Sequence, residues 1–151
     1  MRIFFVLLTL VVLSNASYAS IAGKGLYCNI ITQPDTKLEQ YKKQFGLAFN
    51  ETEVVAISYK LDRDTISFGI VKHASYSTTE KKINFQFNSY PFRGSNQIDR
   101  SSLVVEESPL NLGLEAICNV YDDFKSLNKR LNEEKKELQS GYNLKISKNA
   151  M

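Results

Sequence analysis

The sequence predicts a mainly β fold: a small antiparallel barrel or sandwich of seven to eight short strands, with one C-terminal amphipathic α-helix. Three observations predict it. Between Phe45 and Glu107 apolar and polar residues alternate in short runs, the period-2 signature of strands with one dry face. Turn residues rather than helical stretches separate those runs, which suits a barrel or a sandwich. After Asp122 the period changes, and Phe124, Leu127, Leu131 and Leu138 recur at helical spacing. A barrel has the further merit of leaving no sheet edge unpaired.

The chain opens on a segment expected to lie outside the fold. Met1-Arg2 supplies a positive start, Ile3 to Leu13 is apolar apart from Thr9, and Ser17 and Ala19 stand where a signal peptidase reads. The apolar run falls well short of the roughly 20 residues that cross a bilayer. Residues 1–19 are therefore expected to be a secretory signal, and 20–151 a single β-rich domain with no transmembrane span, periplasmic or secreted. Lipidation at Cys28 is disfavoured, because the bulky Tyr27 precedes it and the apolar run is distant.

Export decides how the cysteines read. In an oxidising compartment an isolated pair is most often bonded, so Cys28 and Cys118 are expected to form a disulfide that closes most of the chain into a loop. Charge excludes other roles. The chain carries 19 basic and 16 acidic residues, evenly spread, with neither the basic stripe that nucleic acid requires nor a polybasic block for a membrane surface.

Taken in order, Leu26, Cys28 and Ile30 share one face of a first strand, which turns Cys28 toward the core. Thr36 and Glu39 suggest a capping box and a helical turn over residues 37–43. Phe45, Leu47 and Phe49 alternate next. Val55, Ile57, Tyr59 and Leu61 form the dry face of a third run, and Ile66, Phe68 and Ile70 that of a fourth, which is expected to end at Lys72. Ile83, Phe85 and Phe87 follow, then a strand over residues 102–107. Leu114, Ala116, Cys118 and Val120 bring Cys118 onto an inward face. The helix is expected over about residues 122–140, capped by Asp122 or Asp123 and stopped by Gly141.

Two fragments repeat one pattern. Residues 61–68 and 98–105 both read apolar-Asp-Arg-x-(Ser/Thr)-apolar-x-apolar. Asp62, Asp64 and Asp99 fit turns in which the carboxylate bonds nearby backbone amides. Arg63 and Arg100 could instead line one rim of a barrel and meet an anion, and Phe68, Phe85 and Phe87 could line an apolar cavity. Paired carboxylates could also cleave a glycosidic bond, but turn chemistry already accounts for them. His73 has no partner of the kind that catalysis or metal binding needs, and is expected at the surface near a strand end. No nucleophile motif, phosphate loop or metal-ligand spacing is present. The expectation is no enzyme activity and no cofactor.

Gly23 to Cys28, the Phe45–Phe49 run, the two Asp-Arg turns and Cys118 resemble a group of small exported bacterial proteins without assigned function. The resemblance implies an exported β-rich domain and no site residues. The outline of signal, barrel, helix and disulfide is similar to that of lipocalins, but the chain has no tryptophan and so lacks their Gly-x-Trp signature. Two functions are expected to compete: a binding module for a small apolar ligand, and a structural or protein-interaction component of the cell envelope. The first calls for an internal cavity at Phe68, Phe85 and Phe87, the second for a filled core and an exposed apolar patch.

Overall fold

The structure, a computed structural model, describes residues 20–32, 39–88, 94–107 and 114–149. The expected signal at 1–19 and the first part of the expected helical turn lie outside them. Eight strands follow one another: β1 (Gly25–Thr32), β2 (Gln44–Phe49), β3 (Glu53–Asp62), β4 (Thr65–Thr78), β5 (Lys82–Phe87), β6 (Gly94–Asp99), β7 (Val104–Glu107) and β8 (Glu115–Tyr121). Each pairs antiparallel with the next, and β8 returns to pair with β1, so the sheet is a closed barrel and not a sandwich. A helix, α1 (Phe124–Asn149), lies along the outside of the wall.

Alternation builds the interior as expected on most strands. Leu26, Cys28 and Ile30 of β1, Phe45, Leu47 and Phe49 of β2, Ile83, Phe85 and Phe87 of β5, and Ala116 and Cys118 of β8 are all buried in one cluster. Cys28 and Cys118 stand directly opposite each other in the β1–β8 register, and their sulfurs are bonded. The expected disulfide therefore joins the first strand to the last. Val120, expected on the same inward face, is instead 42% exposed at the strand's end.

The hairpin of β3 and β4 departs from one-sided alternation. Val54 and Ala56 point into the barrel, while Ile57, Tyr59, Leu61, Ile66 and Phe68 pack on the outside in a second cluster with α1. Both faces are dry because one meets the interior and the other meets the helix. β4 also runs on past Lys72 to Thr78, through a register shift opposite Val55 and Ala56, which is a β-bulge. His73 thus lies within the strand, exposed, with Nδ1 3.4 Å from Glu53.

β6 has little apolar signal. Ile98 is its one buried apolar residue, and Asn96, a poor strand former, is buried beside it. The two Asp-Arg fragments form different turns: Asp62 pairs with Thr65 across a tight hairpin in which Arg63 is left-handed, whereas Asp99 organises a longer turn. The Asp99 carboxylate accepts hydrogen bonds from the backbone N–H groups of Ser101 (3.0 Å) and Ser102 (2.9 Å) and from both hydroxyls. Leu103 then takes a left-handed backbone with φ of 57° and packs against the interior, which offsets the conformational cost of about 1–2 kcal/mol.

These bonds, led by the Ser101 hydroxyl, hold the Asp99 carboxyl well below the usual carboxylate range. A lowered folded-state value means that the stabilisation is complete above the ordinary range and is lost as pH falls through the folded value. Wild-type stability is expected to drop on acidification below about pH 4. Its advantage over Asp99→Asn should shrink across the same window in urea titrations. A difference that stays constant with pH would show that the charge contributes nothing to the turn.

The helix is longer than the sequence suggested. Asp123 caps it, its carboxylate accepting the Ser126 N–H at 2.7 Å. It passes through Gly141 and continues to Asn149. Leu127, Leu131 and Leu138 are buried as expected, but Phe124 is 43% exposed and does not dock. Glu134 occupies the stripe position between Leu131 and Leu138, and it too is buried. Two strand glycines let the helix approach. Leu127 lies over Gly25 and Leu131 over Gly46, each where a Cβ would stand. The Tyr59 hydroxyl donates to the Leu131 carbonyl (2.9 Å), and Lys24 pairs with Asp122 at 3.0 Å.

Candidate functional site

The interior of the barrel is packed with side chains. Phe45, Phe49, Phe87, Leu26, Leu47, Ile83 and Ile98 are among the largest that are almost wholly excluded from solvent. The Phe85 and Phe87 rings meet each other at 5.3 Å, and Phe49 meets Tyr76 edge-on at 5.3 Å. Phe85 and Phe87 are therefore core neighbours. Phe68 does not join them: it lies on the outer face of the wall, 5.6 Å from the Tyr59 ring and beneath the Lys135 ammonium at 4.7 Å. The three phenylalanines do not line one cavity.

Arg63 and Arg100 do not share a rim either. Successive turns of an up-and-down barrel alternate between its ends, so the β3–β4 turn holding Arg63 and the β6–β7 turn holding Arg100 lie at opposite ends. Arg100 ties neighbouring turns together, its backbone N–H bonding Lys81 O at 2.9 Å and its guanidinium donating to Thr79 O at 3.1 Å. Asp64, beside Arg63, accepts from the Tyr142 hydroxyl at 3.3 Å. Among the described residues, no group of three or more His, Cys, Asp or Glu side chains is placed to hold a metal ion.

The site that the structure does form is a groove of about 430 Å³ between α1 and the end of the wall that carries the β3–β4 turn. Its apolar surfaces are Tyr41, Ile66, Leu138 and Tyr142, with Gly141 in its wall and Glu39, Glu134, Glu137 and Lys145 around it. Chain geometry places each part. The 3-10 turn Gln40–Lys42, within the expected helical turn, carries Tyr41. Gln139 fixes α1 on the hairpin tip as a strand-like amide: it accepts the Ile66 N–H at 2.7 Å and donates to Asp64 O at 2.9 Å. Leu138 and Tyr142, four residues apart, then face the groove together.

The carboxylates of the groove are engaged. Glu39 accepts from the Tyr41 hydroxyl and pairs with Lys42 at 3.2 Å. Those contacts, Tyr41 first, hold its carboxyl below the usual range. Glu134 pairs with Arg130, which also reaches Glu137 at 3.8 Å and covers the Tyr27 ring at 4.7 Å. Burial, and then the neighbouring Glu134 carboxylate, pushes the Tyr27 hydroxyl far above its ordinary value; burial does the same for Tyr59. Tyr41 is raised by burial and by Glu39, and Tyr142 by burial and by Asp64. Tyr41, Tyr59 and Tyr142 act as donors, to Glu39, the Leu131 carbonyl and Asp64. The arrangement is an apolar slot with internally neutralised charge.

Tyr41, Leu138 and Tyr142 were not singled out in the sequence as site residues. Reading the helical stripe through Gly141, so that Tyr142 continues from Leu138, would have found part of the groove.

No protein-family model matches the chain, and no curated protein or solved structure matches it. The resemblance to small exported proteins thus gains no support beyond the residues that suggested it.

Proposed function

We propose that this protein is an exported binding module for a small, mainly apolar, uncharged molecule, held in the groove between α1 and the barrel wall. The observation that carries the reading is the groove itself. Its volume falls in the range of small-molecule sites, its surfaces are aromatic and aliphatic, and its carboxylates are already paired. Export is supported by the signal-like residues 1–19 and by the Cys28–Cys118 bond, which belongs to oxidising compartments. No helix among the described residues is long and apolar enough to cross a membrane. The acids of the groove are engaged in pairs with Lys42 and Arg130, which favours binding over catalysis.

Gly141 supplies the test. It lies inside a helix, where glycine costs about 1 kcal/mol relative to alanine, yet nothing stands within 4 Å of where its Cβ would be. That open space belongs to the groove. Gly141→Leu is expected to raise stability by about 0.5–1 kcal/mol while weakening binding of the neutral dye Nile red at least tenfold. Absence of dye binding by the wild type, or equal binding by a folded Gly141→Leu, would overturn the assignment.

A second reading, a structural or interaction role in the envelope, is favoured by one observation. Leu144 and Ile146, on the last turns of α1 beyond the hairpin contacts of Gln139 and Tyr142, are 62% and 42% exposed. Concentration-dependent self-association of the wild type, abolished in Leu144→Glu, would support it.

A further inference from the structure

A second surface, away from the groove, has a different chemistry. On the outer face of β4, β5 and β6 the register aligns two rows of side chains. Ser77 opposes Asn84, which opposes Gln97; one step along, Ser75 lies level with Gln86, which opposes Ser95. All six carry a hydroxyl or a primary amide and none carries a charge. Five are exposed, and Asn84 is half-buried. Together they line a shallow concavity of about 450 Å³. Among the described residues, charges stand at its margin: Lys82 donates to the Gln97 amide oxygen at 2.6 Å, Glu106 pairs in register with Gln97, and Glu53, with His73 3.4 Å away, pairs in register with Ser75.

The composition of this face works against the strand it sits on. Asparagine is depleted in strands, and exposed sheet positions are better served by threonine or by charged side chains. A local choice that opposes the fold points to use of the surface. Each amide presents both a donor and an acceptor, and each serine hydroxyl does the same. With strands about 4.8 Å apart, the face offers closely spaced, uncharged donor–acceptor pairs over three strands. Its one bonded cation, Lys82, stands at the edge and is held by Gln97, and the rings of Tyr76 and Phe85 that border the concavity belong to strand positions between the two polar rows. The matching ligand is itself neutral and dense in hydroxyl groups.

We infer that the β4–β5–β6 face is a binding site for an uncharged oligosaccharide, distinct from the groove beneath α1. Sugar hydroxyls donate to the carbonyl oxygens of Asn84 and Gln86 and accept from their NH₂ groups, with Ser75, Ser77, Ser95 and Gln97 completing the contacts. Bonds of this kind are modest individually and exchange with water, so affinity comes from several engaged together and is expected to be weak for a single sugar unit.

The test uses the oxidised chain with maltopentaose, cellopentaose and chitopentaose as probes, followed by the side-chain amide NMR signals of Asn84, Gln86 and Gln97. At least one probe is expected to shift these signals saturably, with glucose alone at least tenfold weaker. Asn84→Asp/Gln86→Glu, which keeps shape but adds two charges, is expected to weaken binding at least tenfold. Ser77→Ala should weaken it by a smaller factor, and this single surface change serves if the double variant fails to fold. Gly141→Leu should leave it unchanged, which separates this site from the groove. Saturable shifts with none of the three probes, or affinity unaltered in the folded double variant, would overturn the assignment. Preference for an anionic oligosaccharide such as a polygalacturonate fragment would overturn its chemical class.

Discussion

Replacing Cys28 and Cys118 together with alanine is expected to lower stability by about 4–5 kcal/mol, the loop-closure entropy of a link across some 90 residues. The two sit opposite each other on the strands whose pairing shuts the barrel, with Cα atoms 4.0 Å apart. Without the bond, the last strand must find the first across nearly the whole domain, the most costly contact in this topology. Urea unfolding of the oxidised protein and of the double variant measures the difference. A loss below about 1 kcal/mol would show that packing alone closes the wall. Because the cysteines are 0% and 3% exposed, reduction under native conditions is expected to wait on opening of the structure and to speed up sharply in denaturant.

Leu131→Ala is expected to cost about 2–5 kcal/mol, the range for a fully buried leucine. The Leu131 side chain fills the space over Gly46, so its truncation opens the helix–barrel seam at the centre, while the backbone carbonyl that accepts the Tyr59 hydroxyl is kept. Phe124→Ala, at an exposed position on the same sequence stripe, is expected to stay within about 0.5 kcal/mol. The reverse change tests the same seam. A Cβ on Gly25 would stand 2.6 Å from Cδ2 and 2.8 Å from Cβ of Leu127. Gly25→Ala should therefore cost about 1–3 kcal/mol, and part of that should be recovered when Leu127→Ala is added. Equal effects for Leu131→Ala and Phe124→Ala would mean that α1 does not dock as described.

Much of the barrel was legible because period-2 alternation reports a dry face directly. Leu26, Cys28 and Ile30, or Ile83, Phe85 and Phe87, could be placed inward from spacing alone. β6 was not legible, because a strand held by neighbours on both sides needs only Ile98 as an apolar anchor. Gly141 misled for a related reason. Its cost as a helix residue is small beside what Gln139 and Leu138 gain by holding the helix on the hairpin tip, so α1 runs through it. The candidate groove was hidden further, since Tyr41, Ile66 and Leu138 are far apart in the chain and ordinary one by one.

What the sequence determined by itself is local: which residues alternate, where turns fall, where the helix begins, and that two cysteines occupy inward strand positions. Short-range sterics and side-chain spacing settle those matters, as with Asp99 in its turn and Asp123 at its cap. The tertiary structure decided which dry surface each strand meets. Alternation says that Tyr59, Ile66 and Phe68 must be covered, but it is silent on whether a barrel interior or a helix covers them. Closure decided the rest. Once β8 pairs with β1, alternate turns go to opposite ends, which separates Arg63 from Arg100, and the interior fills with side chains. The open space then remains outside the wall, where a helix crosses a curved sheet and cannot follow it along its whole length.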